Sequence, residues 1–127
     1  MQVLFVEDDP MNRRVVKDML TLVGIEMEEA PDAETGLRMI GDGTYNAVLM
    51  DLRMPGMDGL SAIRHVRNRG DAKSRVPIIV ITADAAEGLH QTCLAGGADR
   101  VLGKPVAMEA LFDALGGAIA ESGDVML

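Results

Sequence analysis

One cysteine, no tryptophan, one tyrosine and two phenylalanines are all that these 127 residues hold of those types. Cys93 cannot close an internal disulfide, and its place in an apolar helical pattern reads as a small core residue, so a reducing, cytoplasmic setting is expected. With only 2% aromatics, the interior must be filled by Val, Ile, Leu, Met and Ala, the usual material of helices packed on a parallel sheet. The longest apolar runs, such as "PIIVI", fall far short of the roughly 20 residues of a membrane span. The N-terminus lacks the basic start and long apolar stretch of a secretory signal, so no membrane partner is expected. Positive charge is scarce as well: 12 Lys and Arg against 20 Asp and Glu give a net charge of −8. That argues against direct nucleic-acid binding, which needs a basic face. Linkers, repeats and low-complexity segments are missing too. One domain over residues 1–121 is expected, with 122–127 a frayed tail.

What is present is an alternation of two periods. Apolar runs at "QVLFV", "NAVLM", "VPIIVI" and "RVLG" are each followed by a segment with helical spacing, and "IEMEEA" alternates apolar and acidic residues as an edge strand does. The first helix opens at Pro10, ends before Gly24 and carries Met11, Val15, Val16, Met19, Leu22 and Val23 on one broad face. The last runs from about Val106 to Ile119. Asp32, Asp58 and Asp84 stand where helices could begin, and "GDG" and "AGG" where they could end. Five strand–helix units imply an α/β fold, a doubly wound five-stranded parallel sheet with five helices. The flavodoxin-like order 2-1-3-4-5 puts the binding crevice beyond the carboxyl ends of strands 1 and 3.

Strand 1 leads into "LFVEDDP", three consecutive carboxylates directly after a buried run. In the expected topology Asp8 and Asp9 share one rim with Asp51 after strand 3, Thr82 after strand 4 and Lys104 after strand 5. Each has an ordinary explanation by itself: Asp9 before Pro10 makes a good N-cap, Asp51 a turn former, Thr82 a strand end, Lys104 a solvated charge. Their convergence does not. Carboxylates about 4 Å apart repel by roughly 4 kcal/mol at an effective dielectric near 20, so a cation must offset them. Acidic oxygens beside one lysine suit Mg²⁺, and no His–Cys arrangement offers a zinc site. Such a cluster prepares Asp51 to attack phosphorus and carry an aspartyl phosphate, with the metal, Lys104 and Thr82 stabilising the phosphoryl oxygens.

The motifs "VEDDPMN", "VLMDLRMPGMDGL", "IVITAD" and "GKP", in that order and spacing, resemble the CheY-like receiver domains of two-component response regulators over essentially the whole chain. The resemblance implies Asp51 as phosphoacceptor, Asp9 as a direct metal ligand, Asp8 as a ligand through water, and the Arg53 backbone carbonyl completing the protein's share of Mg²⁺. It implies Thr82 as the switch hydroxyl, Lys104 as the phosphate-pairing lysine and a cis bond to Pro105. It further implies a histidine kinase or histidine phosphotransfer domain as phosphodonor, docking near the first helix, and a downstream protein target. "MNRRVVKDML" and "CLAGGADRVLGKP" are closest in character to receivers of hybrid sensor kinases, so the chain is expected to be a fragment of a longer protein.

One departure stands out. Val101 occupies the position where the family usually carries Tyr or Phe, so no aromatic rotation can accompany the switch. Arg53 and Asp84 are expected to flank the site mouth and pair across it. No turnover of external substrates is expected, only self-phosphorylation and self-dephosphorylation. Two rivals are a receiver-like binding module that signals without phosphate and a haloacid-dehalogenase-type phosphatase. The latter wants a second Asp two residues after its nucleophile, where this chain has Arg53. His65 and His90 have no acidic partner in sequence and read as surface or packing residues.

Overall fold

The apolar runs form the strands that their composition implies. In the computed structural model, which describes residues 1–84 and 86–121, they are β1 (Gln2–Val6), β2 (Glu26–Ala30), β3 (Ala47–Asp51), β4 (Ile78–Thr82) and β5 (Arg100–Gly103). Between and after them lie α1 (Pro10–Thr21), α2 (Ala33–Asp42), α3 (Gly59–Arg67), α4 (Leu89–Ala95) and α5 (Met108–Glu121), with a short 3-10 turn at Ala72–Arg75. The sheet is parallel throughout, in the order β2-β1-β3-β4-β5. The expected topology is the observed one, with its switch point between β1 and β3.

Central strands buried on both faces need two cores, and the sequence supplies both. Val3, Phe5, Leu49, Ile79 and Ile81 point to one side, against Val16 and Leu20 of α1 and Leu111, Leu115 and Ile119 of α5. Leu4, Val6, Val48, Met50, Ile78 and Val80 point to the other, against Ile40, Ile63, Val66 and Cys93 of α2, α3 and α4. Each fully buried aliphatic side chain is worth about 1.5–3 kcal/mol against exposure. On the edge strand, Met27 is buried in the α1 side of the core. Glu29, two residues on, reaches the same side, where it pairs with Arg13 and Lys17.

Asp9, Asp32 and Asp58 cap α1, α2 and α3, each accepting a backbone N–H of the first turn. Several expectations are corrected. The apolar face of α1 is narrower than the residue pattern implied: Val16 and Leu20 are buried, whereas Met11, Val15, Leu22 and Val23 are exposed. The helix ends at Thr21, so Leu22 and Val23 lie in the following turn. Asp84 opens no helix, because α4 starts at Leu89 behind Gly88, whose φ is +81°. The last helix begins at Met108, and Val106 packs beneath it as a partly buried loop residue. The tail at 122–127 lies outside the described residues. No helix among the described residues is long and apolar enough to cross a membrane.

Candidate functional site

At the carboxyl ends of the strands a cleft of about 240 Å³ is lined by all five of the expected residues, Asp8, Asp9, Asp51, Thr82 and Lys104, joined by Glu7, Asn12 and Arg53. Asp51 ends β3 and is buried, as is Thr82 at the end of β4. Glu7 prolongs β1 by one step, its N–H donating to the Ala30 carbonyl at 3.0 Å. Its side chain is 1% exposed, a position a carboxylate holds only with partners. Those partners are present: Lys104 Nζ lies 2.8 Å from Glu7 Oε1, Asn12 Nδ2 donates to the same oxygen at 3.2 Å, and Asp9 N donates to Oε2 at 3.3 Å.

The acidic group is displaced by one residue from the expected pair. Carboxylate oxygens of Glu7, Asp8 and Asp51 come within 4.8 Å of one another. Asp9, although it lines the cleft, turns Oδ1 to the Met11 N–H at 2.8 Å. The cause is local. Pro10 at the first helical position makes Asp9 the N-cap of α1, and the side-chain oxygen of an N-cap is drawn to the first turn's N–H groups. That signal was available in "DDP". Asn12 and Arg13, which also touch Glu7, carried no signal in spacing or composition.

The electrostatics are those of a crowded anionic pocket with one internal cation. Desolvation pushes the Asp8 carboxyl above its ordinary range, with the Glu7 hydrogen bond and charge adding to the effect. Burial opposes the Lys104 charge, yet the bond to Glu7 and the nearby Asp51 outweigh it and leave its pKa raised. Lys104 Nζ is also 3.4 Å from Asp51 Oδ1. One ammonium against three carboxylates leaves an excess of negative charge. The donor set is all oxygen, which fits a hard divalent cation such as Mg²⁺ and not a thiolate- or imidazole-seeking metal.

Two cleft residues are tied to Asp84. Thr82 Oγ1 accepts the Asp84 N–H at 3.0 Å. The Asp84 carboxylate in turn pairs with the Arg53 guanidinium through Nε, at 3.1 Å, and Nη2. Arg53, followed by the N–H of Ala86, draws the Asp84 carboxyl below its usual range. The anticipated Arg53–Asp84 pair is therefore formed, next to the cleft that Arg53 and Thr82 line. The Lys104–Pro105 bond is cis. Val101, opposite Val80 on β4, is partly buried against the α3 and α4 side of the core. His65 lies on the exposed surface of α3, its Nδ1 2.8 Å from the Ser61 carbonyl.

Known proteins resemble this chain in sequence and fold. The response regulator receiver domain family matches residues 3–116. Sensor histidine kinase RcsC of Escherichia coli K12 is 34% identical over 115 residues, covering 91% of this chain, and hybrid signal transduction histidine kinase G of Dictyostelium discoideum is 35% identical over 87% of it. The chain spans only 12% of the first and 3% of the second. Among solved structures, the receiver domain of sensor histidine kinase PA1611 from Pseudomonas aeruginosa PAO1, with a magnesium ion in its active-site cleft, superposes with a TM-score of 0.85. It is 36% identical and covers 94% of this chain and 97% of that one. With its strand order, its acidic cleft and these relatives in agreement, the chain belongs to the response regulator receiver domain family.

Proposed function

We propose that Asp51 accepts a phosphoryl group from the phosphohistidine of a histidine kinase or a histidine phosphotransfer domain, and that the new charge switches this domain's contacts with a downstream protein. The observation that carries this reading is the placement of the Asp51 carboxylate, buried at the end of β3 between the Glu7 and Asp8 carboxylates and the Lys104 ammonium. Glu7, Asp8 and Asp51, with the Arg53 carbonyl at the cleft, would hold Mg²⁺. Bound there, the ion would offset the carboxylate charge and the charge on the transferring phosphoryl oxygens. The magnesium ion in the cleft of the PA1611 receiver supports this choice of metal.

The residues of the chain then divide the work. An Asp51 oxygen attacks phosphorus as the P–N bond to the donor imidazole breaks, and the imidazole keeps that electron pair. The Lys104 ammonium, already 3.4 Å from Asp51, pairs with a phosphoryl oxygen. Thr82 Oγ1 accepts from Asp84 N, which leaves its own hydrogen free to be donated to the phosphoryl group. With Val101 in place of a ring, the Thr82–Asp84 contact carries the change outward. The domain acts on itself alone. Arg53, standing where an aspartate-dependent phosphatase keeps its general acid, supports that reading. Its place is as the cytoplasmic receiver unit of a hybrid sensor kinase, over residues 1–121.

Incubation with acetyl phosphate and Mg²⁺, followed by intact mass, is expected to add one phosphoryl group to the wild type and none to Asp51→Asn or to the metal-free protein. Failure of the wild type to gain mass overturns the reading in favour of a phosphate-independent binding module, and a gain by the Asn variant overturns Asp51 as the acceptor.

The Arg53–Asp84 pair beside the cleft yields a second expectation. The Arg53–Asp84 pair limits the approach of water to the aspartyl phosphate, so Arg53→Ala and Asp84→Ala should each shorten its lifetime several-fold in a hydrolysis time course. Equal lifetimes in all three proteins would remove that role.

A further inference from the structure

Arg13 is held on both sides although it lines no part of the cleft. Its Nη1 donates to the backbone carbonyl of Glu7 at 2.7 Å, and its Nε donates to Glu29 Oε1 at 2.9 Å. The side chain is only 17% exposed, so it spans from α1 across the end of β1 to the edge strand β2. Glu29 is itself fixed, its second oxygen taking the Lys17 ammonium at 3.2 Å.

The carbonyl that Arg13 grips belongs to the Glu7–Asp8 peptide. That unit is planar, with its partial double bond barring rotation. Fixing the oxygen, with Glu7 N already bonded to Ala30 O, therefore fixes the direction in which the chain leaves Glu7 and the point from which the Asp8 side chain starts. Asp8 needs this more than its neighbours do. Glu7 and Asp51 are packed and buried, whereas Asp8 is the exposed member of the carboxylate trio.

We infer that Arg13 is a positioning residue for the divalent-cation site, holding the Glu7–Asp8 peptide so that the Asp8 carboxylate meets those of Glu7 and Asp51, and that Glu29 in turn orients Arg13. The inference rests on the reading of the cleft as a Mg²⁺ site. It makes a prediction opposite in sign to simple electrostatics. Removing a positive charge close to a cation site should tighten Mg²⁺ binding if charge were all that mattered, whereas loss of a positioning contact should weaken it, typically by 10- to 100-fold for groups behind a metal's ligands.

The test is isothermal titration of the whole chain with Mg²⁺ alone, together with thermal unfolding and the amide NMR spectrum of the metal-free protein. Arg13→Met is expected to weaken Mg²⁺ binding by about tenfold and to move the Asp8 amide resonance before any metal is added. Arg13→Lys should not rescue it, since one ammonium cannot make both contacts in the same geometry, and Glu29→Gln should fall between Arg13→Met and the wild type. Unchanged or tighter binding by Arg13→Met, with the variant folded, overturns the inference, as does a lower unfolding temperature with no change in affinity. Asp8→Asn separates the two readings. If the wild type binds no Mg²⁺, or Asp8→Asn binds as well as the wild type, the metal-site reading itself fails and the inference with it. If Asp8→Asn loses binding while Arg13→Met keeps it, only the positioning role is lost.

Discussion

Gly59→Ala is expected to cost about 3 kcal/mol of stability, at the upper end for overpacking a well-filled site, and to be read as a large fall in the urea midpoint. Gly59 is the first residue of α3 and is buried. A methyl carbon added there would lie 2.2 Å from the Asp51 carbonyl oxygen and 2.9 Å from the Leu52 Cα, both backbone atoms that no rotamer change can move aside. Gly59 N also donates to the Leu52 carbonyl at 3.0 Å, so α3 cannot back away without breaking that bond. Against a total stability of roughly 5–15 kcal/mol for a domain of ordinary size, such a cost leaves a marginal protein. The folded fraction should also take up phosphate poorly, because the group displaced is the main chain of the proposed phosphoacceptor itself. An unchanged midpoint would mean that the β3–α3 loop yields more easily than its contacts imply.

The second large effect is expected at Arg67, far from the cleft. Its guanidinium donates to the carbonyls of Gly97 at 2.9 Å, Ser74 at 2.7 Å and Val76 at 2.7 Å, and pairs with Asp99 Oδ2 at 3.0 Å. Burial pushes its pKa down despite the Asp99 charge, yet an arginine stays protonated at any working pH. Asp99 is clasped to the first residue of β4, giving its N–H to the Ile78 carbonyl and accepting the Ile78 N–H, each at 2.8 Å. Gly97 passes beneath the arginine stem with φ at +117°, and a Cβ there would stand 2.7 Å from Arg67 Cγ. One side chain thus fixes where β4 and β5 begin relative to α3. Arg67→Met keeps the stem and strips a donor from each of three carbonyls and the cation from Asp99, an expected loss of about 3–5 kcal/mol. Chemical denaturation measures the total. Amide exchange should show β5, a four-residue edge strand, losing protection first. A loss below about 1 kcal/mol would place the register of β5 in its apolar packing instead.

Much of this architecture could be read from residue order because each signal had a single physical meaning. Pro10 after Asp9, and Asp32 and Asp58 ahead of amphipathic runs, mark helix starts that are observed with their caps. Apolar runs with no polar alternation became strands buried on both faces. Asp51, Thr82 and Lys104 met on one rim because parallel strands bring their carboxyl ends together. What misled was competition for one residue. Three consecutive carboxylates offer two adjacent pairs: the expected pair was Asp8 and Asp9, whereas the carboxylates that come together are those of Glu7, Asp8 and Asp51, and Asp9 caps α1. Asp84 was misread for a related reason, since an Asp after a strand serves a turn or an ion pair as well as a helix start. The width of the α1 face failed because spacing reports which residues share a side, not how far the neighbouring sheet extends. The roles of Arg13 and Arg67 depend on carbonyls that tertiary structure alone brings into reach.

The Lys104–Glu7 ion pair joins positions 97 residues apart, almost the full length of the fold. During synthesis the acidic trio, the proposed acceptor Asp51 among it, leaves the ribosome well before the amine that balances it. A nascent or truncated polypeptide ending ahead of β5 therefore displays Asp51 without its counter-charge, and on the proposed reading only a finished fold is fit to be charged with phosphate.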